Sequence, residues 1–201
     1  MSKLDLSFYQ DEAVTELAVK LLGKRLCTFI DGHFTAGTIV ETEAYHGVTD
    51  RASHAYGGRL TNRTSTMYLA GGRSYVYLCY GIHHLFNVVT AGEHTPHAVL
   101  IRGLEPIEGV EVMLARRNML AVKPNLTAGP GALSKALGID RTMNNKDLTG
   151  DEIWIEDAGI YYKPEEIVAG PRIGVAYAKE DALLPWRFYV KGNKFVSKPN
   201  R

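Results

Sequence analysis

The dipeptide Asp31-Gly32 separates two runs, residues 25–30 and 34–45, that are rich in the residue types strands prefer. Asp-Gly in that position favours the positive φ angles of a tight hairpin loop, so the two runs are expected to pair antiparallel. Further strand-like runs follow at residues 74–80, 85–90, 98–103, 153–156, 167–177 and 187–190. Helical periodicity is confined to three short stretches. Val14, Leu17, Ala18, Leu21 and Leu22 repeat at i, i+3, i+4, i+7 and i+8, with Gly23 as the stop. Pro106 is expected to open a second helix, to about Asn118, with Val110, Met113 and Leu114 facing inward. A third runs from Pro130 to Leu137 before Gly138. There are no repeats, low-complexity tracts or linkers. The expected fold is α+β, a single domain over residues 1–201 around a largely antiparallel sheet flanked by helices.

Residues 46–74 interrupt this pattern with a long stretch rich in Gly, Ser, Thr and Asn, a length unusual for a connection without a function. The net charge of +1 does not by itself suggest a polyanion partner, but its distribution is uneven. From Arg51 to Gly92 there is no Asp or Glu, whereas Arg51, Arg59, Arg63, Arg73 and five of the eleven tyrosines fall inside. Such a window suits a local polyanion-binding face, and equally a solvated surface over core tyrosines. No apolar run is long enough to span a membrane, and the first residues lack a signal-peptide core. Cys27 and Cys79 form no Cys-x-x-Cys pair and read as structural thiols of a cytoplasmic protein.

Side-chain alternation puts Glu41, Glu43 and Tyr45 on one face of their strand. An exposed sheet face is the ordinary place for strand glutamates; a pocket mouth, where one serves as general base, is the alternative. Tyr75 and Tyr77 share a face of a later strand, and Tyr80, beside Gly81, is expected to project from the surface. The pairs His83-His84 and His94-x-x-His97 lack metal-site spacing. No phosphate loop, dinucleotide fingerprint or nucleophile elbow is present, so neither a metal nor a cofactor is expected.

The run Ile39-Val-Glu-Thr-Glu-Ala-Tyr45, then Ala52-Ser-His54, Gly57-Gly-Arg59 and Thr61-x-Arg63, resembles the alkyladenine (3-methyladenine) DNA glycosylases. The resemblance continues through Tyr75-Val-Tyr-Leu-Cys-Tyr-Gly81, Asn87, Ile101-Arg-Gly-Leu-Glu-Pro106, Leu126-Thr-Ala-Gly-Pro130 and Arg187-Phe-Tyr-Val190. It covers nearly the whole chain in the family's order and spacing. It implies a curved sheet like that of formyltransferase C-terminal domains. The implied activity is a monofunctional, cofactor-free DNA N-glycosylase that flips alkylated purines from duplex DNA and starts base excision repair. 3-Methyladenine is the leading substrate, with hypoxanthine and ethenoadenine as further ones; the enzyme would be monomeric and cytoplasmic, near the nucleoid.

By the same resemblance Glu43 deprotonates the attacking water and Arg102 helps to hold both. Tyr45, His54 and Tyr77 sandwich the extruded base, Asn87 excludes guanine, and Tyr80 enters the vacated base stack. Arg59, Arg63 and Gly131 would meet the DNA backbone. Two departures stand out. Gly131 and Ala132 occupy the positions where many relatives place a lysine, with Lys135 a turn later, and Ile82-His83-His84 replaces bulkier aromatic character after Gly81. Two rival readings remain at this point: a sugar or nucleoside hydrolase using Glu41 and Glu43 as its carboxylate pair, and a non-catalytic nucleic-acid-binding module.

Overall fold

The computed structural model describes residues 2–197; Met1 and residues 198–201 of the expected domain lie outside them. The elements run β1 (Ser2–Lys3), α1 (Leu6–Tyr9), α2 (Val14–Lys20), β2 (Arg25–Ile30), β3 (His33–Tyr45), β4 (Ser74–Cys79), β5 (His83–Thr90) and β6 (His97–Glu108). They continue with α3 (Val110–Arg117), α4 (Pro130–Leu137), β7 (Ile153–Asp157), β8 (Ile167–Gly170) and β9 (Arg187–Val190). The hairpin forms where it is expected. Ile30 pairs with His33 across a two-residue loop, and Asp31 (φ 53°) and Gly32 (φ 75°) both take the left-handed conformation such loops require.

Among the described residues all nine strands belong to one antiparallel sheet of an α+β fold, in the order β1-β7-β2-β3-β6-β5-β4. β9 pairs with β3 beyond the end of β2, and β8 pairs with β9. β3 is therefore the pivot. It pairs with β2 through Thr38, with β9 at Glu41–Glu43, and with β6 along most of its length. Its register with β6 shifts on both sides of Glu41, and bulges of this kind bend a strand and re-aim its side chains. Every residue of β3 from Thr35 to Ala44 is buried, so its glutamates do not lie on a solvated sheet face. On one side α2 covers it, and the Thr42 hydroxyl donates to the Ala18 carbonyl at 2.8 Å. The main core joins the α2 stripe (Val14, Leu17, Leu21) to Ile39, Phe86, Ile101, Met113 and Leu133. Burying each such side chain contributes roughly 1.5–3 kcal/mol.

Two elements depart from the sequence reading. Pro106 does not open a helix; it lies in β6 opposite Gly37, at a register shift where a missing N–H is tolerated. The helix starts at Val110 because Gly109, at φ 68°, turns the chain out of the strand. A Cβ on Gly109 would sit 2.2 Å from the Phe34 carbonyl oxygen. Gly109→Ala is therefore expected to lose at least about 2 kcal/mol, a Tm drop of roughly 4–8 °C for a chain of this size by calorimetry. The expected strand over residues 167–177 ends at Gly170. Pro171 has no ladder donor, and residues 171–175 instead form a loop over the C-terminal half of β3 before the helical turns of Ala176–Leu183.

Candidate active site

A cavity of about 890 Å³ opens where the end of β3, the β4–β5 hairpin, the N-terminus of α4 and the loops after Ser53 and Arg172 converge. Tyr45, His54, Arg63, Tyr77, Tyr80, Asn87, Arg102 and Gly131 all line it. Residues far apart in sequence are thus gathered around one cavity. Arg59 is exposed and does not line the cavity. Glu43 is fully buried directly behind the wall, touching it through three lining residues. Its Oε2 accepts from the Tyr45 hydroxyl at 2.8 Å and its Oε1 from the Ile173 backbone N–H at 2.7 Å. Arg102 Nε lies 3.4 Å from the same Oε1.

The two buried carboxylates are treated very differently. Glu41 Oε1 accepts from Arg187 Nε (2.7 Å), Ser197 Oγ (2.8 Å) and Arg102 Nε (3.2 Å), while Oε2 accepts from the Ser197 N–H (2.6 Å). A carboxylate offers about four acceptor positions, so Glu41 is saturated. Glu43 has two hydrogen bonds and retains acceptor capacity on both oxygens. Two arginines balance the two glutamates, which is what permits four charges to sit in the interior. Burial alone would lower the Arg102 pKa, but Glu43 and Glu41 together raise it above its ordinary value. Burial, and then the charge on Glu43, holds the Tyr45 hydroxyl well above its usual range, so it stays a donor.

The slot in front of Glu43 is lined by aromatic rings, and no carboxylate of the described residues lines the cavity. His54 and Tyr77 meet edge-on with centroids 4.6 Å apart, and Tyr75 backs Tyr77 at 5.4 Å. His54 Nδ1 contacts the Tyr75 hydroxyl at 2.8 Å. Burial first, then Arg63 and Arg59, depress His54 to about 4, leaving the imidazole neutral at physiological pH. Both amide hydrogens of Asn87 go to carbonyls, of Tyr75 (3.1 Å) and Leu85 (3.4 Å), which fixes that side chain in the wall. Tyr80 stands at the rim with φ 50° and 87 % of its surface exposed, as its place beside Gly81 suggests. Gly131, at the first turn of α4, is filled from outside: a Cβ there would meet the His83 ring at 2.7 Å.

Sequence reasoning missed the clamp that holds this arrangement. Arg172 is fully buried against Asp50, with Nη1–Oδ2 at 2.5 Å and Nη2–Oδ1 at 2.8 Å, and it donates to the Ala44 carbonyl at 2.8 Å. Its guanidinium also lies 4.9 Å from the Tyr45 ring centroid and 5.1 Å from that of Trp186. Pro171 was the available signal, since a proline inside a run read as strand marks a break. The break is what delivers the Ile173 N–H to Glu43.

The buried histidines set an acid limit. His97, whose ring lies tilted against His46 with centroids 4.2 Å apart, is also lowered to about 4, by burial and then by His46. The unfolded chain takes up these protons near pH 6.5 and the folded protein only near 4. Stability from this source is therefore complete above about pH 6.5 and is lost as the pH falls towards 4. Thermal melts should show Tm declining across that window, with a shallower decline in His97→Gln. An equal slope in the variant would remove His97 from the explanation.

Among the described residues no group of three or more His, Cys, Asp or Glu side chains is placed to hold a metal ion, and no helix is long and apolar enough to cross a membrane. The family model for methylpurine-DNA glycosylase (MPG) matches residues 7–194. A protein of Bacillus cereus (strain G9842) named "Putative 3-methyladenine DNA glycosylase" is 48% identical over 203 residues, covering 96% of this chain and 97% of that one. A protein of the same name from Bacillus thuringiensis (strain Al Hakam) is 47% identical over 205 residues, with the same coverage. With an aromatic cavity, a buried carboxylate behind it and family similarity along nearly its whole length, the chain belongs to the methylpurine-DNA glycosylase family and is a DNA glycosylase, a hydrolase of N-glycosyl bonds.

Proposed function

We propose that the cavity receives an alkylated purine flipped from duplex DNA, with 3-methyladenine as the principal substrate, and that Glu43 activates the water that replaces the base at C1′. The observation that carries this reading is the asymmetry between the carboxylates: Glu41 is saturated, whereas Glu43 keeps acceptor capacity beside the aromatic slot. That asymmetry also counts against a glycosidase-type pair, which needs both carboxylates available. The C1′–N bond breaks through an oxocarbenium-like state that a neighbouring carboxylate stabilises. Water oxygen bonds to C1′, its proton passes to Glu43, and the base departs with the electron pair of the glycosidic bond. Free purine and an abasic site result. Arg102 and Tyr45 position Glu43. Glu43 is fully buried, so the proposed water approaches it from the cavity, past the lining residues Tyr45, Arg102 and Ile173 that it touches.

Tyr45, His54 and Tyr77 would stack on the extruded base, a contribution of about 1–3 kcal/mol per base, against an extrusion cost of a few kcal/mol that is least for damaged pairs. A neutral His54 suits a cationic lesion, which a protonated imidazole would repel. Tyr80 would fill the gap in the base stack, Asn87 would exclude guanine, and Arg59, Arg63 and the Gly131 amide would meet phosphates. The enzyme would act as a monomer, without a cofactor, and its further substrates would include hypoxanthine and ethenoadenine.

The test is release of free base from duplexes that carry 3-methyladenine, hypoxanthine, ethenoadenine or no lesion. Release is expected from the 3-methyladenine duplex and not from the undamaged one; no release from any lesion duplex would end the reading. Tyr80→Ala should weaken lesion-duplex binding by about 10-fold or more, with Tm unchanged because the side chain is mostly exposed.

A further inference from the structure

Arg63, an exposed residue, lies across the open side of the aromatic slot. Its guanidinium carbon sits over the Tyr77 ring, 4.8 Å from the centroid, and its Nη2 approaches His54 Nε2 at 3.3 Å. Guanidinium nitrogens only donate, so His54 Nε2 is the acceptor, and a neutral His54 is the form that accepts. Tyr77 and His54 are two of the three side chains proposed to hold a flipped base. In this structure they hold a flat, delocalised cation, the same kind of group as an alkylated purine.

Besides Tyr77 and His54, Arg63 lies within reach of the Tyr75 hydroxyl. Arg51, in the same acid-free window, is paired with Glu180 and Asp181; no carboxylate of the described residues forms an ion pair with Arg63. We propose that Arg63 determines what the slot admits: it occupies the slot in DNA-free enzyme, keeps free purine bases out, and leaves when duplex phosphates take its guanidinium. This rests on the reading of the slot as the site of the flipped base.

The argument is one of linked equilibria. Any base that stacks on Tyr77 must displace Arg63 and forfeit its contacts. A free base brings nothing in exchange. A base attached to a duplex brings phosphates, with which a guanidinium forms charge-assisted, often bidentate hydrogen bonds. The cost is thereby offset for DNA and left standing for free bases. Arg63 thus discriminates by attachment to DNA and leaves the preference among lesions to the other walls. After hydrolysis the departing purine is itself a free base, so the returning guanidinium competes with it and lessens product inhibition.

The experiment is inhibition of base release by added free adenine and free 3-methyladenine, in wild type and in Arg63→Met, which keeps the aliphatic bulk and removes the guanidinium. The inhibition constant is expected to fall between about 3- and 30-fold in the variant, while its KM for lesion duplex does not fall in parallel. Arg63→Lys, retaining charge but not the planar fork, should lie between the two. An inhibition constant unchanged within about twofold, or raised, overturns the proposal. If wild type released no base from any lesion duplex, the reading of the reaction would fail on its own. Calorimetric titration of free adenine into both proteins would still decide the role of Arg63: tighter binding by Arg63→Met supports it, and equal binding contradicts it.

Discussion

Glu43→Gln is expected to release 3-methyladenine from DNA about 10²- to 10⁴-fold more slowly than wild type under single-turnover conditions, the usual range for loss of a general base. In barrier terms that is about 3–5 kcal/mol. Glutamine has the same shape and still offers one oxygen to the Tyr45 hydroxyl or to the Ile173 N–H. It carries no charge to stabilise an oxocarbenium-like state and accepts no proton from water. One of the two donors then faces an amide NH₂, so a stability loss of about 1–2 kcal/mol accompanies the change. The two effects are separable because a folded variant that binds DNA and does not cleave it identifies chemistry as the step removed. A decrease of less than about tenfold would show that Glu43 does not carry the proton.

Glu41→Ala should be the most destabilising single change in the site. It leaves Arg102 and Arg187 buried without the carboxylate that both address, and Ser197 without the acceptor for its N–H and hydroxyl. Breaking a buried ion pair by removing one partner costs about 3–5 kcal/mol, which for a chain of this length is a Tm drop of roughly 6–20 °C by calorimetry. Arg102 would be left with Glu43 as its one carboxylate and be drawn onto it, taking up acceptor capacity that the water needs, so base release should fall as well. A Tm within about 2 °C of wild type would mean that Glu41 does not anchor this network.

The two glutamates also mark the limit of what alternation along a strand reveals. Period-2 patterning puts both on one face and cannot rank them, because the difference lies in Arg187, Ser197 and Ile173, each more than a hundred residues away in sequence. It also favours an exposed face, since a glutamate in a strand does not announce a buried arginine partner. The ordered resemblance to a glycosylase family singled out Glu43 where the pattern could not. Local chemistry was legible where local forces decide: the Asp31-Gly32 hairpin, the α2 stripe, and the bounds of β9. It misled at Pro106, where proline fits both a helix start and a strand at a register shift, and the pairing of β6 with β3 decides between them. The Asp50–Arg172 clamp was out of reach, being a long-range pair held by burial. The contact of Arg63 with Tyr77 was equally invisible, since an arginine in an acid-free window reads the same whether it faces phosphate or an aromatic ring.

Base release and duplex binding, measured on one preparation of Glu43→Gln with a methylated duplex, test the central claim most directly. Retained duplex affinity, within about threefold of wild type, together with loss of 3-methyladenine release is the result predicted for a carboxylate that activates water behind a working base slot. Release at the wild-type rate with equal affinity would contradict it, and would place the proton acceptor elsewhere in the cavity.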